Sequence, residues 1–417
     1  IDDDTKEVVG KIADILGIDI PSIKIPGVGN FDLPNSPTSG GVDHFRNPRG
    51  ICTNGKGEFW IADNGNNQIV RARFNTEENF VELLGMLKGL NSPSDVCVFP
   101  GVSQDSPEII GIANTGGHSI VFTKAQFFGD VNLQDQQKYV INNVYLNNSR
   151  FNISSPLGIS SSKRFPDECY LTCANNKIVK LNRLGEYEFL PVATIDWPLQ
   201  GVLTGIQTDQ AGDPFVVDNT NNYVGKYTRD LQLLFTTGGS NPDANTLVDD
   251  FKYGYIYFEN PKYVTFGNDD KSVFVTERMK GYNGIKRFVN WPRFLDGSNS
   301  FGLKCNQNSQ VDDSKMEIRF SLTKNALIDV NILRVDGDDQ RVFFDSRNYS
   351  EFNDVFSSGH HVLTYDFNDQ EGASNSSIAY ICSFRAFDPS SPDEESDNKT
   401  YIVSLGAPNF FDDAILT

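Results

Sequence analysis

The sequence predicts an all-β protein: a β-propeller built from repeated small sheets, then a β-sandwich, with one short amphipathic helix in front. Three observations predict this. Helix-favouring Ala and Met are sparse in the 417 residues, whereas Asn, Gly, Val, Ile, Phe and Tyr, which favour strands and tight turns, abound. One pattern, an apolar run that ends in a polar turn and then resumes, occurs five times. Long alternating strands follow after residue 303.

Residues 1–20 predict the helix. Asp4 and Glu7 resemble a capping box, and Gly17 is a stop signal. The apolar positions at helical spacing are Val8, Ile12, Ile15 and Leu16. An amphipathic helix ahead of an all-β body must bury its apolar face, so we expect it to dock on the propeller or the neighbouring domain, or alternatively on another subunit.

The repeated pattern is clearest in FWIADNGNNQIVRAR, residues 59–73. Its turn position is occupied in the five copies by Asp63, Asn114, Cys173, Asp218 and Glu277. Each copy follows a shorter strand, with equivalent positions at Gly50, Asp95, Gly158, Gly205 and Tyr263. One four-stranded meander cannot bury both of its faces, so such units stack side by side around an axis. The shorter strand is expected to be innermost, because Gly allows backbones to approach closely there.

The turn position has two interpretations. Short polar side chains at such a site accept backbone N–H groups of the turn that follows, which is a structural role. Alternatively, a ring of carboxylates at the mouth of the propeller holds a metal ion. The first interpretation is favoured, since the five copies place Asp, Asn, Cys, Asp and Glu there.

Residues 47–74, NPRGICTNGKGEFWIADNGNNQIVRARF, closely resemble the NHL-repeat family, whose repeats carry a Pro-x-Gly-Ile lead and an Ala-Asp-x-x-Asn-x-x-Ile core. The other copies are similar to it more loosely, and together the resemblance covers about 250 residues. It implies a propeller, most often with six blades in that family. Five blades can be traced here, and SIKIPGVGNF, residues 22–31, is expected to supply the missing outer strand of the fifth. Six blades are the alternative.

After residue 303 the repeat ends and strands alternate every 8–12 residues, which is typical of a β-sandwich. Roughly residues 314–405 resemble the immunoglobulin-like domain of the flagellar hook-capping (FlgD) type. The shared features are IRFSLTKNALIDVNI, the turn at Asp336-Gly337 and the strand YICSFRA. In that family the domain is usually a structural or adhesive appendage of secreted proteins. The predicted domains are therefore the helix or arm at 1–20, the propeller at 21–303, and the sandwich with its tail at 304–417.

Charge and composition exclude several classes. A net charge of −19 repels nucleic acid and anionic lipid. No apolar run has the length of a membrane helix. Only four His occur, and the chain lacks a nucleophile elbow, a P-loop and a dinucleotide fingerprint. No catalytic residue, cofactor or metal site is predicted, although a calcium-dependent lactonase-like hydrolase would recruit Glu277, Asn114 and Asp218.

Several features indicate an extracellular protein. The chain begins at Ile1, as a processed product would. The even set of Cys52, Cys97, Cys169, Cys173, Cys305 and Cys382 permits three disulfides. The glycosylation sequons are Asn147, Asn152, Asn348, Asn375 and Asn398.

The cysteines are interpreted as structural. Cys52 and Cys97 occupy equivalent positions in consecutive blades and are expected to pair, since adjacent innermost strands bring them within bridging distance. Cys305 and Cys382 are expected to tie the linker to the sandwich. Cys169 and Cys173 are four residues apart on one strand, and a redox or metal role is their alternative.

One loop contributes a candidate interface. Phe251, Tyr253, Tyr255 and Tyr257 share one face if the chain is extended there. A strand packed in its own blade is the simpler interpretation. A carbohydrate platform or a subunit contact is the alternative, since exposed Tyr supplies a large contact area at low entropy cost.

The sequence therefore predicts a secreted, non-enzymatic structural glycoprotein that self-assembles into an extracellular filament or surface layer. Its partners would be further copies of itself or other extracellular proteins and glycans. The alternatives are the calcium-dependent hydrolase and a propeller that binds a glycan or peptide.

Overall fold

The structure is a computed structural model and describes residues 45–75, 80–146, 149–239, 257–267, 271–279, 282–290, 292, 302–306, 315–366 and 378–404. The predicted helix at 1–20 and the predicted closing strand at 22–31 lie outside these residues. Within the described ranges strands dominate, and the helical segments are single 3-10 turns at Asn64–Asn66, Thr115–Gly117, Leu133–Asp135, Ser346–Asn348 and Ser350–Asn353.

Five of the sheets are the blades of a β-propeller, which confirms the predicted fold class. In chain order the blade strands begin with β1 (Pro48–Thr53), β2 (Glu58–Asp63), β3 (Gln68–Asn75), β4 (Phe80–Lys88), β5 (Pro93–Phe99), β6 (Ile109–Asn114), β7 (Ser119–Lys124), β8 (Gly129–Asn132) and β9 (Lys138–Ile141). A hairpin of β10 (Asn143–Leu146) and β11 (Ser149–Asn152) follows. The remaining blade strands are β12 (Pro156–Ser161), β13 (Glu168–Cys173), β14 (Lys177–Arg183), β15 (Phe189–Asp196), β16 (Leu203–Thr208), β17 (Pro214–Asp218), β18 (Tyr223–Tyr227), β19 (Leu233–Gly238), β20 (Pro261–Phe266), β21 (Ser272–Met279) and β22 (Tyr282–Val289).

Strand order within the blades is that of a meander. Blade 1 is β1-β2-β3-β4 with β8 added at its outer edge, and blade 2 is β5-β6-β7-β9. Blades 3, 4 and 5 are β12-β13-β14-β15, β16-β17-β18-β19 and β20-β21-β22. The predicted short strands are therefore the first strand of every blade. The sequence did not predict β8, which leaves blade 2 and pairs in parallel with β4 from Gly85 to Lys88.

Close backbone approach explains the glycines of the first strands. A Cβ on Gly50 would lie 2.6 Å from the Cα of Asp95 in the next blade, and one on Gly205 would lie 2.7 Å from the carbonyl oxygen of Lys262. Both distances are too short for any side chain, so only Gly fits. This is the close approach that the sequence predicted for the innermost strands.

Apolar cores fill the spaces between neighbouring blades. Trp60, Ile69 and Leu87 of blade 1 pack with Val96 and Ile112 of blade 2. A second core joins blades 2 and 3, and its members include Phe99, Phe122, Ile159, Leu171 and Phe189. The rings of Phe122 and Phe189 stack with centroids 4.0 Å apart across the two blades. Blade 2 thus buries one face against blade 1 and the other against blade 3.

The C-terminal strands form a sandwich. They are β23 (Gly302–Asn306), β24 (Lys315–Leu322), β25 (Leu327–Asp336), β26 (Asp339–Asp345), β27 (Gly359–Asp366), β28 (Ile378–Asp388) and β29 (Ser391–Ser404). One sheet has the order β23-β24-β27 and the other β26-β25-β28-β29. Side chains of both sheets, among them Phe320, Val330, Ile332 and Phe384, meet in one buried core. Gly337 makes the predicted turn between β25 and β26 with a φ of 61°.

The chain divides into two compact units. The first runs to Val224 and includes residues 238–265 and 275–285, and the second consists of residues 225–237, 266–274 and 286–417. Segments of the fourth and fifth blades thus group with the sandwich, and the domain boundary near residue 303 stays a prediction. Among the described residues, no helix has the length and apolar character needed to cross a membrane.

Candidate functional site

The polar turn position lies at or near the end of the second strand in each blade, and in blades 1, 2 and 5 its side chain binds the loop that leads into the first strand. We call this loop, which ends at the residue before each first strand, the lead-in loop. Asp63 Oδ1 accepts the N–H of Arg46 at 2.8 Å. Asn114 and Glu277 accept the N–H groups of Asn91 and Glu259 at 2.7 and 3.0 Å. In all three blades the donor lies two residues before the Pro that begins the first strand.

These side chains are buried and well satisfied. Besides Arg46, Asp63 accepts the side-chain amides of Asn66 at 2.7 Å and Gln68 at 2.9 Å. Asp218 accepts the backbone N–H groups of Thr220 and Asn221 at 2.9 and 3.0 Å. Asp218 therefore bonds to the following turn as the sequence predicted. The backbone N–H groups that Asp63, Asn114 and Glu277 accept belong instead to the lead-in loop, which lies 17–23 residues away in sequence.

Two further positions of the same turn connect one blade to the next. The side chain of the residue after the turn position donates a hydrogen bond to the carbonyl oxygen of the Pro that begins the next blade. These bonds are Asn64 to Pro93 at 3.0 Å, Thr115 to Pro156 at 2.6 Å and Asn219 to Pro261 at 3.0 Å. The residue four after the turn position accepts the N–H of the residue before that Pro. These bonds are Ser92 to Asn67 at 2.7 Å, Ser155 to His118 at 3.1 Å and Asn260 to Asn222 at 2.7 Å.

The oxygens of the turn residues are used by N–H groups of the protein. In the part of the chain that the structure describes, no three His, Cys, Asp or Glu side chains converge as metal ligands. Of the residues that a calcium-dependent hydrolase would recruit, Asn114 accepts the N–H of Asn91, Glu277 accepts the N–H of Glu259, and Asp218 accepts N–H groups of the following turn. The structural interpretation of the turn position accounts for every contact given above.

Asp95 is the unusual member of the first strands, since it stands where blades 1, 3 and 4 have Gly. It is 6% exposed. Its Oδ1 accepts the N–H of Val96 at 2.9 Å, and its Oδ2 accepts the N–H of Ile159 in blade 3 at 2.9 Å. Burial raises the pKa of this carboxyl to about 7, although both backbone bonds lower it. Asp95 therefore bonds to blade 3 while lying against Gly50 of blade 1.

Tyr263 of blade 5 approaches the same place. Its hydroxyl donates to the carbonyl oxygen of Ser94 at 3.2 Å. Burial and the nearby charge of Asp95 raise the pKa of Tyr263. Burial, together with the charges of Arg278 and Arg49, lowers the pKa of Lys262, the preceding residue. Three cationic side chains thus gather beside the first strands of blades 1 and 5.

The described cysteines are free thiols: Cys52, Cys97, Cys169, Cys173 and Cys382. Cys97 lies in the core between blades 2 and 3 and makes a thiol hydrogen bond with Cys169, not with Cys52. Equivalent side chains of successive blades point in the same direction around the ring. Cys52 of blade 1 therefore points toward blade 2, and Cys97 of blade 2 points toward blade 3. Disulfide formation stays a prediction, and this geometry favours Cys97 with Cys169 over the expected Cys52 with Cys97. Burial raises the pKa of Cys173 to about 12, which opposes thiolate chemistry there.

The remaining predicted sites divide between described and undescribed residues. Asn152, Asn348 and Asn398 are exposed, as glycosylation requires. Tyr257 is half-buried just before blade 5. Cys305 lies on β23, where its side chain is not described. The sites outside the described residues are Val8, Ile12, Ile15, Leu16, Asn147, Phe251, Tyr253, Tyr255 and Asn375.

Comparison with known proteins supports the repeat. A model of the NHL repeat matches residues 45–71, which is the first half of blade 1 and confirms the resemblance for that blade. No curated protein matches the chain. The hook-capping type of the sandwich has no support from these comparisons and stays a prediction.

Solved structures are similar to the chain at low identity. Virginiamycin B lyase from Staphylococcus aureus is 15% identical, with 55% of this chain and 66% of that chain covered and a TM-score of 0.35. Hydrazine synthase of Kuenenia stuttgartiensis is 10% identical, with 78% and 70% covered and a TM-score of 0.33. PorZ, a bacterial surface component of the type-IX secretion system of Porphyromonas gingivalis, is 10% identical, with 86% and 45% covered and a TM-score of 0.43.

These similarities correct one prediction. Two of the three proteins are enzymes, so the prediction that this chain is not an enzyme is contradicted and is withdrawn. At such identities and TM-scores the similarities assign no activity, substrate or partner to this chain.

The turn bonds predict a stability difference between two blades. Asp63→Ala leaves the N–H of Arg46, the buried side-chain amide of Gln68 and the exposed side-chain amide of Asn66 without their acceptor, and we expect a loss of about 3 kcal/mol in the free energy of unfolding. Cys173→Ala is the matched control at the same position of blade 3, where only a buried sulfur is lost, at about 1 kcal/mol. Urea unfolding measures both. Equal losses in the two variants would show that the bonds to Asp63 contribute little.

Asp95 predicts a pH dependence. A carboxyl with a folded pKa of about 7 binds more protons in the native state than in the unfolded state, where the ordinary value is 3.8. Its contribution is therefore fully present below pH 4 and is lost as pH rises to 7, at up to about 1.4 kcal/mol per pH unit. We expect Asp95→Asn to flatten this part of the curve between pH 5 and pH 7.5.

The control for Asp95 is Asp105→Asn, which removes an exposed carboxylate. Like Asp95→Asn, it replaces one carboxyl group by an amide, but it alters no buried group. The pH dependence of its free energy of unfolding should therefore match that of the unmodified protein. Urea unfolding at several pH values measures all three proteins. If both variants follow the same curve as the unmodified protein, Asp95 is ionised in the native state throughout this range.

Proposed function

We propose that the protein acts by associating with other protein chains in an extracellular structure, as a subunit of a filament or surface layer. The observation that carries this proposal is the edge strand β29. It contains 14 residues, and among the described strands it pairs with β28 alone. An edge strand exposes a row of unpaired N–H and C=O groups that can pair with a strand of another chain.

The two ends of β29 differ. Asp397–Ser404 pair with Ala379–Ala386 in continuous register. Toward Ser391 the register shifts twice, opposite Phe387 and its neighbours. Bulged edges pair poorly with a further strand, whereas regular edges pair well. The regular half from Asp397 to Ser404 is therefore the part that would accept a partner.

Charge restricts which partner fits. β29 carries Asp393, Glu394, Glu395 and Asp397 against one Lys, at position 399. The first three acidic residues lie in the bulged half, whereas Asp397 and Lys399 of the regular half have opposite charges. Two copies of β29 could therefore pair along their regular halves. Cations would reduce the repulsion between their acidic ends and between two chains of net charge −19.

Secretion is part of the same proposal. It is supported by the exposure of the sequons Asn152, Asn348 and Asn398. Asn398 lies on β29 opposite Arg385, so its side chain belongs to a face of the sheet rather than to the free edge. A glycan at that position is therefore compatible with pairing at the edge.

The proposal predicts the mass of native protein in solution. By light scattering we expect particles much heavier than the 46.4 kDa chain in calcium, and a fall in mass after addition of a chelator. Electron micrographs would show whether the particles are filaments or layers. A monomer under both conditions would contradict the assembly.

A charge reversal locates the contact. Asp397→Lys places a positive charge on the proposed edge and should lower the mean particle mass in calcium at least twofold. Asp339→Lys is the matched control, since Asp339 is an exposed residue of β26, the opposite edge of the same sheet. If both variants assemble as the unmodified protein does, β29 is not the contact.

A further inference from the structure

The first strands of blades 1 to 4 carry a bulge at the same place. Their register with the second strand shifts between Pro48 and Ile51 in blade 1, between Pro93 and Asp95 in blade 2, and at the equivalent points of blades 3 and 4. A bulge turns a side chain out of the regular alternation of its strand. We call the residue just before Gly50, and its equivalents, the bulge position. In chain order it is occupied by Arg49, Ser94, Leu157, Thr204 and Lys262.

The bulge positions lie beside the centre of the ring. The Oγ of Ser94 donates to the carbonyl oxygen of Leu157, the bulge position of the next blade, at 2.8 Å. The hydroxyl of Tyr263 in blade 5 donates to the carbonyl oxygen of Ser94 in blade 2 at 3.2 Å. This bond passes over blade 1 in the order of the blades and therefore crosses the middle of the ring. Lys262, the residue before Tyr263, is thus placed beside the same centre.

Positive charge is concentrated on one side of this centre. The bulge positions of blades 2, 3 and 4 are uncharged, whereas those of blades 1 and 5 are Arg49 and Lys262. Arg278, which follows the turn position of blade 5, adds a third cation. Burial, and after it the charges of Arg278 and Arg49, lowers the pKa of Lys262, so both charges that act on this ammonium are positive. All three residues belong to the first compact unit.

In the part of the chain that the structure describes, these three cations form no ion pair. Other exposed cations of the blades are paired, as Lys56 is with Glu108 at 2.8 Å and Arg73 with Glu82 at 2.6 Å. The carboxyl of Asp95 is buried and accepts backbone N–H groups of blades 2 and 3. Like charges gathered around a half-buried ammonium repel one another, and a bound anion would remove this repulsion.

The chemistry of the three side chains matches a phosphate group. A phosphate monoester carries a charge of about −1.5 to −2 at pH 7, which three cations offset better than the single charge of a carboxylate would require. Arg49 and Arg278 are exposed, and their planar guanidinium groups match phosphate oxygens. Lys262 is half-buried and supplies a point charge where water screens it less.

We propose that Arg49, Lys262 and Arg278 bind the phosphate group of a small solute, either free phosphate or a phosphate monoester, beside the ring centre on the side of blades 1 and 5. The inference is independent of the proposed assembly through β29.

Isothermal titration calorimetry of the full chain with inorganic phosphate tests the inference, with chloride at equal ionic strength as the reference. We expect a dissociation constant of about 1 mM or less for phosphate. Glycerol 3-phosphate distinguishes the two sources: tighter binding than that of inorganic phosphate indicates a monoester, and equal or weaker binding indicates free phosphate. If neither binds, or if chloride gives the same heat, the inference is overturned.

Two variants locate the site. Lys262→Gln and Arg49→Gln should each weaken phosphate binding by about tenfold, because each removes one of the three charges. Arg73→Gln is the matched control, since Arg73 is an exposed arginine of blade 1 that is paired with Glu82, and it should leave the dissociation constant unchanged. Equal binding by all three variants would show that the phosphate is held elsewhere and would overturn the inference.

Urea unfolding in chloride and in phosphate reports folding and binding together. Phosphate should raise the urea midpoint of the unmodified protein and of Arg73→Gln, because a ligand that binds the native state stabilises it, and should leave the midpoint of Lys262→Gln unchanged. A rise of equal size in Lys262→Gln would contradict the assignment. Because Arg49 is exposed, Arg49→Gln decides the question even if Lys262→Gln fails to fold.

Discussion

Every blade of this protein is a small sheet with two apolar faces, and it is stable only when a neighbour covers each of them. This constraint determines what the first strands contain. Gly50 and Gly205 let the next backbone approach to within 3 Å of where a Cβ would be, which brings the flanking aliphatic residues into contact. The cores on both sides of blade 2 follow from this spacing.

The loops at the end of each blade carry backbone N–H and C=O groups that need hydrogen-bond partners once the blades are packed. Three positions of the polar turn supply these partners to the lead-in loops of its own blade and of the next. Blade 3 lacks the first two, because Cys173 and Ala174 cannot make these bonds. There Trp197 takes their place: Asn176 exchanges hydrogen bonds with its backbone at 2.9 Å, and its indole N–H donates to Asp218 at 2.7 Å. One buried Trp thus joins the turns of blades 3 and 4.

Much of the architecture could be predicted from the sequence, because local sequence patterns specify the strands of the blades and of the sandwich. The five turns, the five first strands and the hairpin at Gly337 each have a signal within a few residues. The four residues of β8 carry no such signal, and their pairing with β4 depends on a contact 44 residues away in sequence. The partners of Asp63 and the direction in which Cys97 points were missed for a similar reason. Both depend on the rotation of one blade relative to the next, which periodicity within a strand does not contain.

Asp95 and Tyr263 place side chains between the first strands of the blades, where the other blades have Gly. The Gly of the other blades allows the backbones to meet, whereas these two residues extend side chains to strands of other blades. The hydroxyl of Tyr263 bonds to the backbone of Ser94, and the carboxyl of Asp95 bonds to the backbone of Ile159, so protein atoms occupy the space between the first strands at this level. Each oxygen of Asp95 accepts a backbone N–H, and the bond to Ile159 joins blades 2 and 3, so this buried carboxyl stabilises the contact between two blades.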